Sequence, residues 1–188
     1  MSTEMQIAIV GVIGTLAGTF LGWLLNNLSL KGKLNFFVTT FEAEIKCRKN
    51  GVAAPSTSVG QSNFLKYRIE LDLYNSSGTT KIIRNVKVVL LKKRKELASD
   101  TPQDSDTGHE VARMVWYNNV SPMNIPPKSI GVLRLHGGFY PKNKSLEYVY
   151  EADSVVLQYT NENNKIKKVF LKRINPTNYF ENKTEDNQ

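Results

Sequence analysis

From Met5 to Leu30 the chain carries no charged residue, and within that run Ile7 to Leu25 reads IAIVGVIGTLAGTFLGWLL. As a helix rising about 1.5 Å per residue, this stretch spans about 28 Å, close to the ~30 Å hydrocarbon core of a bilayer. Its bulky members are Ile7, Ile9, Val10, Val12, Ile13, Leu16, Phe20, Leu21, Leu24 and Leu25. Together they favour insertion by roughly 3–6 kcal/mol. The start MSTEMQ has no Lys or Arg, and NNLSLKGK offers no small-residue cleavage site. An uncleaved signal-anchor, a single-pass transmembrane helix over residues 1–30, is therefore expected in place of a cleaved signal peptide.

Four glycines interrupt this segment. At about 100° per residue, Gly11, Gly14, Gly18 and Gly22 fall on one side of the helix, and Ile9, Val12, Leu16, Phe20 and Trp23 on the other. Gly14, Gly18 and Gly22 form two overlapping small-xxx-small motifs, the pattern that lets membrane helices approach closely. The expectation is a self-association face.

Flanking charge sets the expected orientation. Only Glu4 precedes the span, whereas Lys31, Lys33, Lys46, Arg48 and Lys49 follow it. The positive-inside rule then puts the amino terminus outside and the remainder in the cytoplasm. The formal charge is +8, and with Glu4 the only acid before Lys31 the remainder carries +9. Such an excess suits anionic lipid, acidic protein or nucleic acid. The overall mean hydropathy of −0.34 is that of a soluble domain with one apolar attachment.

Beyond Lys31 the pattern changes to period two. In FLKYRIELDLYN, Leu65, Tyr67, Ile69, Leu71 and Leu73 alternate with Lys66, Arg68, Glu70 and Asp72, as in a strand with one buried face. NSSGTT at 75–80 supplies a turn, and KIIRNVKVVLLKK is the next strand. LNFFVTTFEAEIK, EVARMVWYN, SIGVLRLHG and the hairpin SVVLQYTNENNKIKKVFLKRI read as further strands, with LEYVY at 146–150 a weaker one. No amphipathic helix of ten or more residues follows Lys31. Seven or eight strands in residues 31–174 predict a mainly β fold, an antiparallel sandwich. Residues 50–62 and 98–108 read as long loops, and the polar tail 175–188 as disordered.

LYNSSGTTK, IRNVKVVLL and NIPPKSIGVLRL together resemble the strand-and-turn pattern of immunoglobulin-like sandwiches. The resemblance implies the architecture and no chemistry.

Signals for catalysis are weak. HGGFY at 136–140 is similar to the oxyanion segment of esterases, but no G-x-S-x-G nucleophile turn accompanies it, and a strand ending in a glycine turn is expected. One cysteine, Cys47, and two histidines, His109 and His136, do not make a four-ligand zinc site. Asp100, Asp104 and Asp106 crowd one stretch, as loop carboxylates around calcium do, although the spacing is not that of an EF-hand. No cofactor or metal is expected, and no enzyme activity. The N-x-[ST] sequons at Asn27, Asn75, Asn119, Asn143 and Asn182 carry little weight in so Asn-rich a chain.

The basic run Lys92, Lys93, Arg94 and Lys95 sits at an expected hairpin tip, a candidate contact for an anionic surface. Nucleic acid is disfavoured, because the aromatics lie in strand patterns and are expected in the core. The expected function is non-enzymatic: a membrane-anchored basic sandwich that binds a partner or scaffolds a complex. The alternative is a ligand-sensing membrane effector that oligomerises through its glycine-striped helix.

Overall fold

The computed structural model describes residues 2–49, 52–55, 64–112, 114–142 and 145–174. Helix α1 runs from Thr3 to Leu30, capped by Ser2, whose side chain accepts from the Met5 amide, with Glu4 in the first turn. Both features suit a helix N-terminus, where backbone N–H groups lack partners. Its apolar side chains are largely exposed: Ile7, Val10, Leu16 and Leu25 are each 65–69% exposed. The span from Thr3 to Leu28 has a mean hydropathy of 2.0 and is long enough to cross a membrane. The Thr15 and Thr19 hydroxyls donate back to the Gly11 and Thr15 carbonyls at 2.9 and 2.8 Å. Polar groups satisfied within the helix can enter lipid without a partner.

Only Lys31, Gly32 and Lys33 separate α1 from strand β1, Leu34–Lys49. This connection is held against the turn after strand β3 (Phe64–Asn75). Lys33 N donates to Ser76 Oγ at 3.1 Å, and the Lys33 carbonyl accepts from Ser76 N at 3.0 Å. A Cβ at Gly32 would lie 2.5 Å from the Ser77 Cα, so only glycine fits there.

The remaining strands are β2 (Val52–Pro55), β4 (Lys81–Lys92), β5 (Lys95–Asp100), β6 (Gln103–Asp104), β7 (His109–Val111), β8 (Met114–Trp116), β9 (Met123–Ile125), β10 (Ile130–Phe139), β11 (Ser154–Thr160) and β12 (Ile166–Arg173). One antiparallel sheet has the order β2-β1-β3-β10-β6, the other β12-β11-β4-β5 with β9 also on β4. Among the described residues seven strands are six residues or longer.

The alternation of β3 is realised: Leu65, Tyr67, Ile69, Leu71 and Leu73 are 0–3% exposed. They meet Val86, Val88, Leu90, Val155 and Leu157 from the other sheet in one core. Phe36 of β1 and Tyr159 of β11 bridge the layers, their rings 5.3 Å apart. The β3–β4 turn therefore carries the chain from one sheet to the other, as in a sandwich.

Several expectations are corrected. LEYVY forms not a strand but a helical turn, α2 (Glu147–Tyr150), because Leu146, Val149 and Ala152 recur every third residue and all point into the core. Residues 98–108 are not one loop: they include the end of β5, β6 and a 3-10 turn at Ser105–Thr107. EVARMVWYN is no core strand. It contributes β7 and β8 to a small hairpin whose Met114, Val115 and Trp116 are 53–58% exposed. Phe37, Tyr140 and Phe170 are also exposed, so the aromatics divide between core and surface. Within the expected loop 50–62, Val52–Pro55 pairs with β1. The rest of that loop and the tail 175–188 lie outside the described residues.

Candidate functional site

Toward the end of β3 remote from α1, the sandwich opens into a cleft of about 390 Å³ lined by Lys46, Lys66, Gln103, Asn119, His136 and Tyr140, among others. The space between the sheets themselves is closed, with only about 10 Å³ left among Phe41, Tyr67, Val88 and their neighbours. That is room for one water at most.

The cleft floor is built by HGG. It is not a terminal turn: His136, Gly137 and Gly138 lie within β10, paired with Arg68, Tyr67 and Lys66 of β3. A Cβ at Gly137 would lie 2.3 Å from Asp100 Oδ2 and 2.4 Å from the Tyr67 hydroxyl. The glycine lets Asp100 cross β10 and lock there. Asp100 Oδ2 accepts from Tyr67 Oη at 2.6 Å and from Gly138 N at 3.1 Å. Burial first, then the Asp100 charge, raise the Tyr67 pKa, so the phenol stays protonated and donates.

His136 stands beside this lock, its Nδ1 3.1 Å from Ser105 Oγ and its ring edge-on to Tyr117. Burial, followed by the Lys66 charge, lowers the His136 pKa from 6.5, with Asp104 and Asp100 opposing. The imidazole is therefore neutral near pH 7. Phe64 stacks on Tyr140 with centroids 5.7 Å apart at the outer wall. Lys46 pairs with Glu44 at 3.1 Å, whereas Lys66 is exposed and has no ion pair among the described residues. The result is an open polar groove with an aromatic wall, an exposed Lys66 without an ion pair among the described residues, and its Asp100 carboxylate already bonded within the fold. It can hold an anionic or amide-rich segment.

Lys92 to Lys95 do form a hairpin tip, but at the far end of the sandwich. β4 starts beside the α1 junction and carries Lys92 roughly 36 Å away, at about 3.3 Å per residue. Within the run Lys92 Nζ lies 3.0 Å from Glu151, and the Lys93 backbone amide donates to Asp153 at 2.6 Å.

Gly11, Gly14, Gly18 and Gly22 face open space, with nothing within 4 Å of a Cβ at any of them. The three carboxylates do not converge. Asp100 is engaged by Tyr67 and Gly138, Asp104 caps the Asp106 amide, and Asp106 lies 3.1 Å from Arg134. Among the described residues no three His, Cys, Asp or Glu side chains are grouped to hold a metal. Sequence reasoning passed over Lys66, Gln103, Asn119 and Tyr140. The usable signal was the double glycine in a strand, which marks a close approach.

A family model described as the YopI Ig-like domain matches residues 32–172, about three quarters of the chain and every long strand. The SPbeta prophage-derived uncharacterized protein YopI of Bacillus subtilis (strain 168) is 26% identical over 165 residues, covering 86% of this chain and 92% of that protein. A crystal structure of a protein from Archaeoglobus fulgidus aligns with a TM-score of 0.40 at 10% identity, covering 73% of this chain and 94% of that one. With an N-terminal apolar helix ahead of an immunoglobulin-like sandwich, the chain belongs to the YopI Ig-like domain family.

Proposed function

We propose that this protein is a non-enzymatic, single-pass membrane module. In this reading α1 is a signal-anchor with its amino terminus outside, and the sandwich holds a protein partner at the cytoplasmic surface. The observation that carries the reading is the short bonded junction. Three residues join span to sandwich and are tied to Ser76, so one end of the domain is held at the bilayer. The cleft lies roughly 30 Å along β3 from that end, where an acidic or amide-rich segment of a partner can reach it. In the cleft Ser105 meets His136 through Nδ1, and Asp100 is bonded by Tyr67 and Gly138.

Capture from membranes with the intact span tests this. A protein retained by wild type and by Lys92→Glu, but lost with Lys66→Glu and Tyr140→Ala, supports the cleft; equal recovery with all four overturns it. A second reading is favoured by the open glycine face, which leaves room for another helix. In it, self-association of the span turns ligand binding into clustering. An effector of that kind leaks ions when clustered, and a scaffold does not.

A further inference from the structure

We propose that the end of the sandwich next to α1 is a seating face for anionic phospholipid head groups; this rests on α1 being a membrane span. Four segments meet at that end: 31–33 leaving the helix, 76–84, 126–130 and the β11–β12 turn at 161–166. Leu34 pairs with Asn75 and Tyr74 with Ile130, which sets β1, β3 and β10 level there. Lys81 pairs with Ile125 and bonds Glu162 at 2.9 Å, and Arg84 bonds Asn164, which bring the other sheet to the same level.

Together these segments hold Lys31, Lys33, Lys81, Arg84, Lys128 and Lys165 against the single acid Glu162, a balance of six to one. The far tip, 92–96 with the packed segment 151–153 and Arg173 at the end of β12, holds five bases against Glu96, Glu151 and Asp153, and Glu96 also pairs with Lys168 at 3.8 Å. The end next to α1 therefore has the larger excess of bases.

A second, independent feature points the same way. Ile130 and Ile166, one on each sheet, are 67% and 64% exposed, each two residues or fewer from Lys128 or Lys165. Apolar side chains interleaved with lysines are what an interfacial surface presents, the isoleucines at the acyl boundary and the lysines at the phosphates. Lys128 is exposed, with φ 55°, and its Nζ donates to the Ser76 carbonyl at 2.6 Å beside the helix exit. Charge complementarity selects anionic lipid over neutral lipid, at about fivefold per lysine, the equivalent of about 1 kcal/mol near the surface.

The test uses the full chain in vesicles of phosphatidylcholine alone, or mixed in equal parts with phosphatidylglycerol, and reads backbone deuterium exchange. Exchange of residues 76–81, 128–130 and 161–166 should slow several-fold in the anionic vesicles and recover in high salt. Lys165→Glu and Ile166→Ser should lose that protection, Lys128→Arg should keep it, and Lys93→Glu at the far tip should not alter it. Equal exchange in both lipids, or loss of protection with Lys93→Glu, overturns the seating face. Carbonate extraction of the same vesicles separates the two readings. A chain that resists extraction but shows no lipid-dependent protection removes the seating alone; a chain that is extracted removes the span and the seating with it.

Discussion

Ser77 Oγ lies 2.6 Å from Asn75 Oδ1, and both residues are completely buried at the end of the sandwich beside α1. The Asn75 amide donates to the carbonyls of Thr79, Ile125 and Pro126 at 2.8–3.0 Å, while Oδ1 also accepts from Ser77 N at 3.0 Å. One side chain thus ties the β3–β4 turn to the β9–β10 connection. The sequon at Asn75 is a structural node, closed to modification while the domain is folded.

Asn75→Ala removes these bonds and leaves the buried Ser77 amide without its Oδ1 acceptor, at about 1–3 kcal/mol for each unsatisfied group, while the Thr79 and Pro126 carbonyls keep Ser77 Oγ and Ser129 Oγ. A loss of at least about 2 kcal/mol is expected in denaturant melts of the full chain, with Asn119→Ala, at an exposed position, near zero. Equal losses would deny the node.

Ile69→Asp places a charge where a fully buried side chain stands, and should cost several kcal/mol, enough to threaten a domain of ordinary stability. Glu70→Lys, one residue on, breaks a pair in which Arg134 Nε donates to Glu70 at 2.6 Å on the outer face. Its loss should be much smaller than that of Ile69→Asp, and thermal melts compare the two.

Lys93 and Arg94 both adopt positive φ, 47° and 70°, in the two-residue turn between β4 and β5. That turn geometry favours Asn-Gly, and a left-handed non-glycine residue costs about 1 kcal/mol. Lys93→Asn with Arg94→Gly should raise the denaturation midpoint, and an unchanged or lower midpoint would refute the strain.

Because the His136 pKa is lowered, the folded state binds its proton less readily than the unfolded state. The stability this contributes is present above the ordinary value of 6.5 and is lost as the pH falls below it toward the folded-state value. Wild type should therefore weaken on acidification through that window more than His136→Gln does. Parallel pH profiles of the two proteins would argue against it.

Gly18→Ile fills the open side of α1 without meeting any other part of the chain. Insertion should be kept or improved, while cross-linked oligomers are lost; Leu16→Ile, on the opposite side, should leave them intact. Equal cross-linking by all three proteins would mean that the glycines pack against nothing.

The local periods were sufficient for much of this protein. An uncharged run has one stable state in lipid and reads directly as α1, and strict alternation from Leu65 to Leu73 fixes a face without reference to its partner. The basic tip at Lys93 and the turn at Asn161 to Asn164 were legible for the same reason, since turn chemistry is local. What tertiary structure alone decided was adjacency. LEYVY has strand-forming residues, but the core accepts Leu146, Val149 and Ala152 only from a helical turn. Gly137 is required only because Asp100 and Tyr67 converge on it from distant strands. The basic tip and the end beside α1 are both lysine-rich in sequence. Which of them lies beside α1, and which meets Glu151 and Asp153, depends on where β4 runs and on the packing of residues 151–153 against its tip. No local pattern encodes that, because charge balance belongs to neighbours in space.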